Sequence, residues 1–214
     1  MKQIKYWKPA VLGMLLLVML LCPLEIQAAS QKTKAITAYK NMLSKETMQW
    51  GNDDYYKAVP TSKCAFTLAY IDNNSVPELI VYTGDVSRPA GNAVIYTYRN
   101  GKVQVVTNTY TGHFYVDNTV FSYYKKKGIF ISTYVMGGVT DNYYRLSKNK
   151  ANKKLTAGNS FIYGKSWYKF SGKTDKKTTK SKFNKALKKL VGSTKKTNAK
   201  FYWNTSANRK KYLK

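Results

Sequence analysis

The chain has 214 residues, 43% of them hydrophobic, and carries 37 Lys and Arg against 10 Asp and Glu, a formal net charge of +27. That apolar fraction supports folding around a real core, and the length suits one domain rather than several. With two cysteines and one histidine, the chain offers neither a disulfide framework nor the Cys/His spacing of a structural zinc site.

Residues Met1 to Lys8 form a positively charged head, and Ala10 to Leu21 form an apolar run. The run is shorter than the roughly 20 residues a membrane span needs, which reads as a secretory signal peptide over residues 1–28. Cleavage is expected after Ala28 or Ala29, where small residues stand at the right spacing. Cys22 is preceded by Leu21, where a lipid-attachment sequence carries a small residue, so no lipid anchor is expected. No later segment is apolar enough to span a bilayer, and Arg209 to Lys214 is neither an apolar tail nor a wall-sorting signal. The mature protein is therefore expected to be secreted, extracellular or envelope-associated. It retains Cys64 alone, so no internal disulfide can form, a combination that fits a bacterial surface. Cys64 alternates with Phe66, Leu68 and Tyr70 on one strand face, the pattern of a buried, inert thiol.

Two regions follow the leader: a helix plus antiparallel β domain over 29–178, and a Lys-rich helical segment over 179–214 packed on it. The first helix is expected from Gln31 to Trp50, capped by Ser30, with Ile36, Tyr39, Met42 and Leu43 at helical spacing and Gly51 to Asp54 as its stop. Beyond it the pattern turns strand-like, rich in Val, Ile, Tyr, Phe and Thr and cut by turn residues at regular intervals. Phe66 to Tyr82 reads as strand, polar turn, strand, with apolar residues in both alternating sets, as in strands buried on both faces. Ala93 to Tyr98 and Val103 to Val106 flank Asn100-Gly101, whose tolerance of positive φ suits a tight hairpin. Val120 to Tyr124 returns through Lys125 to Gly128 into Ile129 to Val135, and Thr140 to Leu146 follows. Phe161 to Tyr163 and Trp167 to Phe170 are shorter strand candidates. Hairpins in series without intervening helices imply an α+β, mainly β fold: an antiparallel meander curled into a sheet, sandwich or barrel.

A second helix is expected from Ser181 to Val191, with Phe183, Ala186, Leu187, Leu190 and Val191 on one side and Gly192 as its stop. Lys182, Lys185, Lys188 and Lys189 fall largely on the other side. The apolar stripe favours packing on the sheet over lying on a membrane. A short helix from Ser206 to Leu213 closes the chain.

Charge is strongly polarised. From Asn142 onward there are 22 basic residues and one acid, Asp175, whereas residues 29–141 carry 12 basic and 8 acidic residues. Such a surface attracts anionic polymers at long range, and the four lysines of the second helix are its expected contact points. Lysine dominates, with arginine after the leader only at Arg88, Arg99, Arg145 and Arg209. Bidentate reading of bases and phosphates favours arginine, so no sequence-specific nucleic-acid partner is expected; an anionic cell-wall polymer or membrane surface is. Aromatic pairs recur at Tyr96/Tyr98, Tyr123-Tyr124, Tyr143-Tyr144 and Trp167-Tyr168 without a fixed period, as cross-strand packing requires.

The turn around Asp72, Asn74 and Glu78 concentrates side-chain oxygens and could hold a hard cation. The segment Ala69 to Val81 resembles the D-I-D/N-x-D/N-x-x-P-E-L-I-V segment of uncharacterised exported proteins of Gram-positive gut bacteria, itself similar to the calcium loops of integrin-type propeller repeats and dockerins. That resemblance implies Asp72 and Asn74 at the second and third ligand positions and Glu78 at the acid after proline. Tyr70 replaces the first Asp and Ser75 the frequent glycine. Calcium takes six to eight oxygens in the general case, and two carboxylates and an amide fall short, so no cofactor is expected. The end of the chain, Asn204 to Leu213, also looks like the ends of such proteins.

No nucleophile elbow, phosphate loop or metalloprotease motif occurs, and no catalytic residue is assigned. The reading is a non-enzymatic exported protein that associates with anionic envelope polymers through its cationic C-terminal third. The rival is a secreted hydrolase using His113 with Cys64, or a carboxylate pair such as Asp117 with Asp141 or Asp72 with Glu78.

Overall fold

The fold comes from a computed structural model that describes residues 30–48, 59–83, 91–111, 121–135, 138–147, 150–160, 162–172 and 174–214. The leader with Cys22, the Gly51 to Asp54 stop, His113 and Asp117 lie outside the described residues. In chain order, helix α1 (residues 30–43) is followed by β1 (Thr47–Met48), β2 (Val59–Pro60), a 3₁₀ turn (Thr61–Lys63), β3 (Cys64–Ala69), β4 (Glu78–Thr83), β5 (Gly91–Arg99) and β6 (Lys102–Thr111). Then come β7 (Phe121–Tyr124), β8 (Ile129–Val135), β9 (Gly138–Ser147), β10 (Lys150–Ser160), β11 (Ser166–Phe170) and β12 (Lys176–Thr178). Helix α2 (Lys180–Val191), β13 (Lys196–Asn198), β14 (Tyr202–Trp203) and helix α3 (Ser206–Tyr212) complete the chain.

All strand pairings are antiparallel. One sheet runs β14-β3-β4-β5-β6, a second runs β12-β11-β10-β9-β8-β7-β13, and β1-β2 make a small ribbon. The result is the expected α+β, mainly β fold in its sandwich form; the described strands close no barrel.

Side-chain alternation explains the layering. Leu79 and Val81 of β4 pack with Phe66, Val94 and Tyr96 against Ala35, Ile36, Tyr39 and Leu43 of α1 and against Leu213 after α3. Ile80 and Tyr82 point the other way and meet Phe121, Phe130 and Leu146 of the second sheet. Phe130 stacks on Phe121 at 5.4 Å and on Tyr144 at 5.0 Å between ring centroids. On the outer face of the second sheet, Ile129, Ile131, Tyr143 and Leu155 are covered by Phe183 and Val191 of α2. The molecule is thus four layers deep, helix, sheet, sheet, helix, and each fully buried aliphatic or aromatic side chain contributes about 1.5–3 kcal/mol of transfer free energy.

The β5–β6 hairpin turns through Asn100 and Gly101 at φ 51° and 77°, the left-handed conformation its sequence suits. Three expectations need correction. Helix α1 stops at residue 43 instead of Trp50: Lys45 N turns to Met42 O at 3.4 Å, an i−3 bond, and Thr47–Met48 pairs with Val59–Pro60. The stretch around Ile162 and Tyr163 is the turn between β10 and β11, not a strand. The segment after residue 178 is not wholly helical: β13 pairs with β7 and β14 with β3, so the tail adds an edge strand to each sheet.

One buried amide fastens that tail. Asn204 Nδ2 donates to Leu43 O at 2.8 Å and Thr61 O at 2.9 Å, while its Oδ1 accepts from Arg209 Nη1 at 2.9 Å. It thereby satisfies a carbonyl at the end of α1, which no helical partner reaches, and ties α1, the 3₁₀ turn and α3 together. Thr205 caps α3 by accepting from Asn208 N at 3.2 Å. Asn204→Ala removes one donor from each of two carbonyls, leaving Leu43 O to Arg209 Nη1 at 3.5 Å and Thr61 O to the Cys64 amide, and is expected to cost about 1–3 kcal/mol, a fall in Tm of roughly 2–12 °C in a thermal melt, with Lys210→Ala as the neutral control.

Candidate functional site

The turn between β3 and β4 is built from its own side chains. Asp72 Oδ1 accepts from Asn74 N at 3.0 Å, and Asn74 Oδ1 accepts from Val76 N at 2.7 Å, two Asx turns in succession. Asp72 Oδ2 faces two donors, Asn74 Nδ2 at 2.8 Å and Arg99 Nη2 at 3.2 Å, the latter from the end of β5. Glu78 Oε2 accepts from Ile71 N at 2.8 Å and so joins the ends of β3 and β4 across the turn. From α1, Tyr39 Oη donates to Pro77 O at 3.0 Å. The second sheet grips the same place, since Lys126 N donates to Tyr70 O and Gly128 N to Ile71 O, at 2.9 and 2.7 Å.

Glu78 is the electrically unusual member. It is 0% exposed, and its Oε1 has no hydrogen-bond partner among the described residues. Burial first, and the nearby Asp72 carboxylate second, push its carboxyl up to about 8 against the restraining bonds from backbone N–H groups. Near neutral pH it therefore stands mostly protonated. The Tyr39 hydroxyl is held well above its ordinary value, by burial and then by Glu78, and remains a donor.

Asp72, Asn74 and Glu78 are thus brought into one turn, yet they do not fit a calcium ion. A hard cation needs converging oxygens with free lone pairs. Here Asp72 Oδ2 is taken by Asn74 and Arg99, Asn74 Oδ1 by a backbone amide, and the Glu78 carboxyl lies inside the protein. The guanidinium of Arg99 supplies the positive charge that a metal supplies in calcium loops. Sequence reading missed this partner, which stands 27 residues from Asp72 and meets it only through β-pairing.

The other candidates carry little chemistry. Cys64 is buried in the α1 layer, its Sγ 3.5 Å from Pro60 O, and burial pushes the thiol up to about 12, far from a thiolate nucleophile. Asp141 accepts from Thr133 Oγ1 at 2.7 Å across β8 and β9. The Asp72 and Glu78 pair has one carboxyl with no solvent access and the other paired with arginine.

The lysine face is clearer. Phe183 and Val191 are buried under α2 while Lys182, Lys185, Lys188 and Lys189 are all exposed. Thr179 caps the helix by accepting from Lys182 N at 3.3 Å, and Gly192 ends it at φ 62°. Lys176, Lys177, Lys195, Lys196 and Lys200 on neighbouring segments are exposed as well, and Asp175 is paired with Lys153 at 3.9 Å. Comparison of the chain with protein-family models, curated proteins and solved structures finds no match to any of them.

Between pH 4.5, the ordinary carboxyl value, and about 8, folded Glu78 holds a proton that the unfolded chain has released. Its contribution is most favourable below that window and is lost as pH rises through it. Glu78→Gln, neutral throughout, is expected to flatten the fall in stability measured by urea melts between these limits; an unchanged slope assigns the effect elsewhere.

Millimolar calcium is expected to leave the Tm of the wild-type protein unmoved, whereas Arg99→Ala costs about 1 kcal/mol by freeing one side of the Asp72 carboxylate. A calcium-dependent rise in wild-type Tm would show that the turn rearranges around a metal.

Proposed function

We propose that the chain is an exported, non-enzymatic protein that associates with anionic polymers of the cell envelope through its cationic C-terminal third. One observation supports this most: α2 spends its apolar stripe on the second sheet, leaving four lysines outward in a region whose only acid, Asp175, is already paired. Lysine ammonium groups are point charges on flexible stems, suited to repeated phosphates or carboxylates without a fixed geometry. Attraction of this kind acts over a Debye length of about 8–10 Å at physiological salt and weakens as salt rises. Export rests on the leader-like residues 1–28, and the resemblance of the Asp72 turn to exported proteins of Gram-positive bacteria agrees with it.

The test is retention on purified cell walls across a salt series. Binding is expected at low salt, with loss at high salt, and weakening when Lys182, Lys185, Lys188 and Lys189 are all replaced by Gln. Because these side chains are exposed, the quadruple variant should melt within about 1 kcal/mol of wild type. Binding to walls that persists at high salt, or none at low salt, sinks the electrostatic account.

A further inference from the structure

The β10–β11 turn carries the two most exposed large hydrophobic side chains of the described surface, Ile162 at 77% and Tyr163 at 75%, with Trp203 at 48% next. Scattered apolar residues are common on protein surfaces and need no explanation. Two adjoining ones at a hairpin end are a different arrangement. Strand pairing stops just before them: Ser160 is the last β10 residue paired with β9, and Asn159 with Ser166 is the last β10–β11 pair. The two residues therefore stand past the paired ends of β10 and β11.

The turn satisfies part of its own backbone. Tyr163 N donates to Ser160 Oγ at 3.3 Å, Gly164 N to Ser160 O at 2.9 Å, and Ser160 N closes the turn by donating to Lys165 O at 3.3 Å. Gly164 stands at φ 60°, which lets the chain reverse tightly. With these backbone amides satisfied internally, moving the tip out of water does not strand them. The supporting hairpin is well seated. Trp167 lies across Gly158 on the paired strand, where a Cβ would collide with the indole, and Lys169 Nζ sits 5.2 Å from the Trp167 ring.

Charge complementarity selects the partner. Lys165 is exposed in the same turn, and the surrounding third of the chain is almost purely basic. An aliphatic side chain gains nothing from a hydrated polymer. Beside a tyrosine and a lysine it suits the boundary of a bilayer, where the alkyl group enters, the phenol stays at headgroup level and the ammonium meets phosphate. We propose that Ile162 and Tyr163 form a tip that inserts into the interfacial layer of an anionic phospholipid bilayer. The proposal rests on the cationic association proposed above, which brings the tip to the surface.

The test uses the processed protein with vesicles of phosphatidylglycerol or phosphatidylcholine, in flotation at low salt and at about 0.5 M salt. Wild type is expected to float with phosphatidylglycerol and to keep a bound fraction at high salt. The Ile162→Ser, Tyr163→Ser double variant should lose that salt-resistant fraction about tenfold. Ile162→Cys, labelled with a polarity-sensitive dye while buried Cys64 stays unreactive, should shift to the blue on phosphatidylglycerol vesicles. Equal flotation of wild type and double variant, with no dye shift, overturns insertion and leaves the electrostatic reading standing. Retention on cell walls with no flotation on any vesicle does the same, and failure on both walls and vesicles overturns both proposals.

Discussion

The burial of β4 on both faces is the constraint from which the other layers follow. Leu79, Ile80, Val81 and Tyr82 are all essentially removed from solvent, so each face of the strand needs its own cover. A single sheet with one helix could bury only one set. The second sheet covers Ile80 and Tyr82, α1 covers Leu79 and Val81, and the exposed back of the second sheet then requires α2. The same register carries Glu78 inside. It opens β4 two residues before Ile80, hence on the same face, and its carboxyl remains neutral because a charge there would have too little solvation.

Polar side chains gather where the main chain leaves a regular element and its amides and carbonyls lose their ladder partners. Asp72, Asn74 and Glu78 serve the amides of the β3–β4 turn, and Asn204 with Arg209 serves the carbonyls where α1 ends. In both places an arginine sits at the edge of the cluster, 30% exposed in the case of Arg99, so that its charge is partly solvated while its fork still reaches inward. The residues that look like cation ligands are therefore accounted for as backbone partners.

Much of this architecture is legible locally. The Asn100-Gly101 turn, the apolar residues in both alternating sets of Phe66 to Tyr82, and the stripe of α2 each need only a short window. Strand β10 does not announce itself: Lys150 to Ser160 holds lysines, alanines and a glycine, and it is a strand because β9 pairs with it along its length and β11 with Leu155 to Asn159. The edge strands β13 and β14 are too short to show a period, and the end of α1 is decided by pairing with residues a dozen positions ahead. For the candidate sites, spacing places Asp72, Asn74 and Glu78 in one turn and the four lysines on one helix face. It cannot supply Arg99, or turn the apolar pair at Ile162 and Tyr163 from a strand into a tip, because both depend on tertiary pairing.

The cationic third is not an appendage. Because β13 pairs with β7 and β14 with β3, the cationic third is woven into both large sheets, and the positions of its lysines are fixed only while the fold holds. Their mutual repulsion favours expansion, so the apolar layers beneath must hold against it. A polyanion bound across several of these lysines offsets that repulsion only in the folded state, where their spacing is fixed. Association and stability are then linked: a partner that binds the native surface more tightly than the unfolded chain adds to stability by mass action. The same packing that fixes the positions of the lysines would thus let a polyanion bound to them act on the fold.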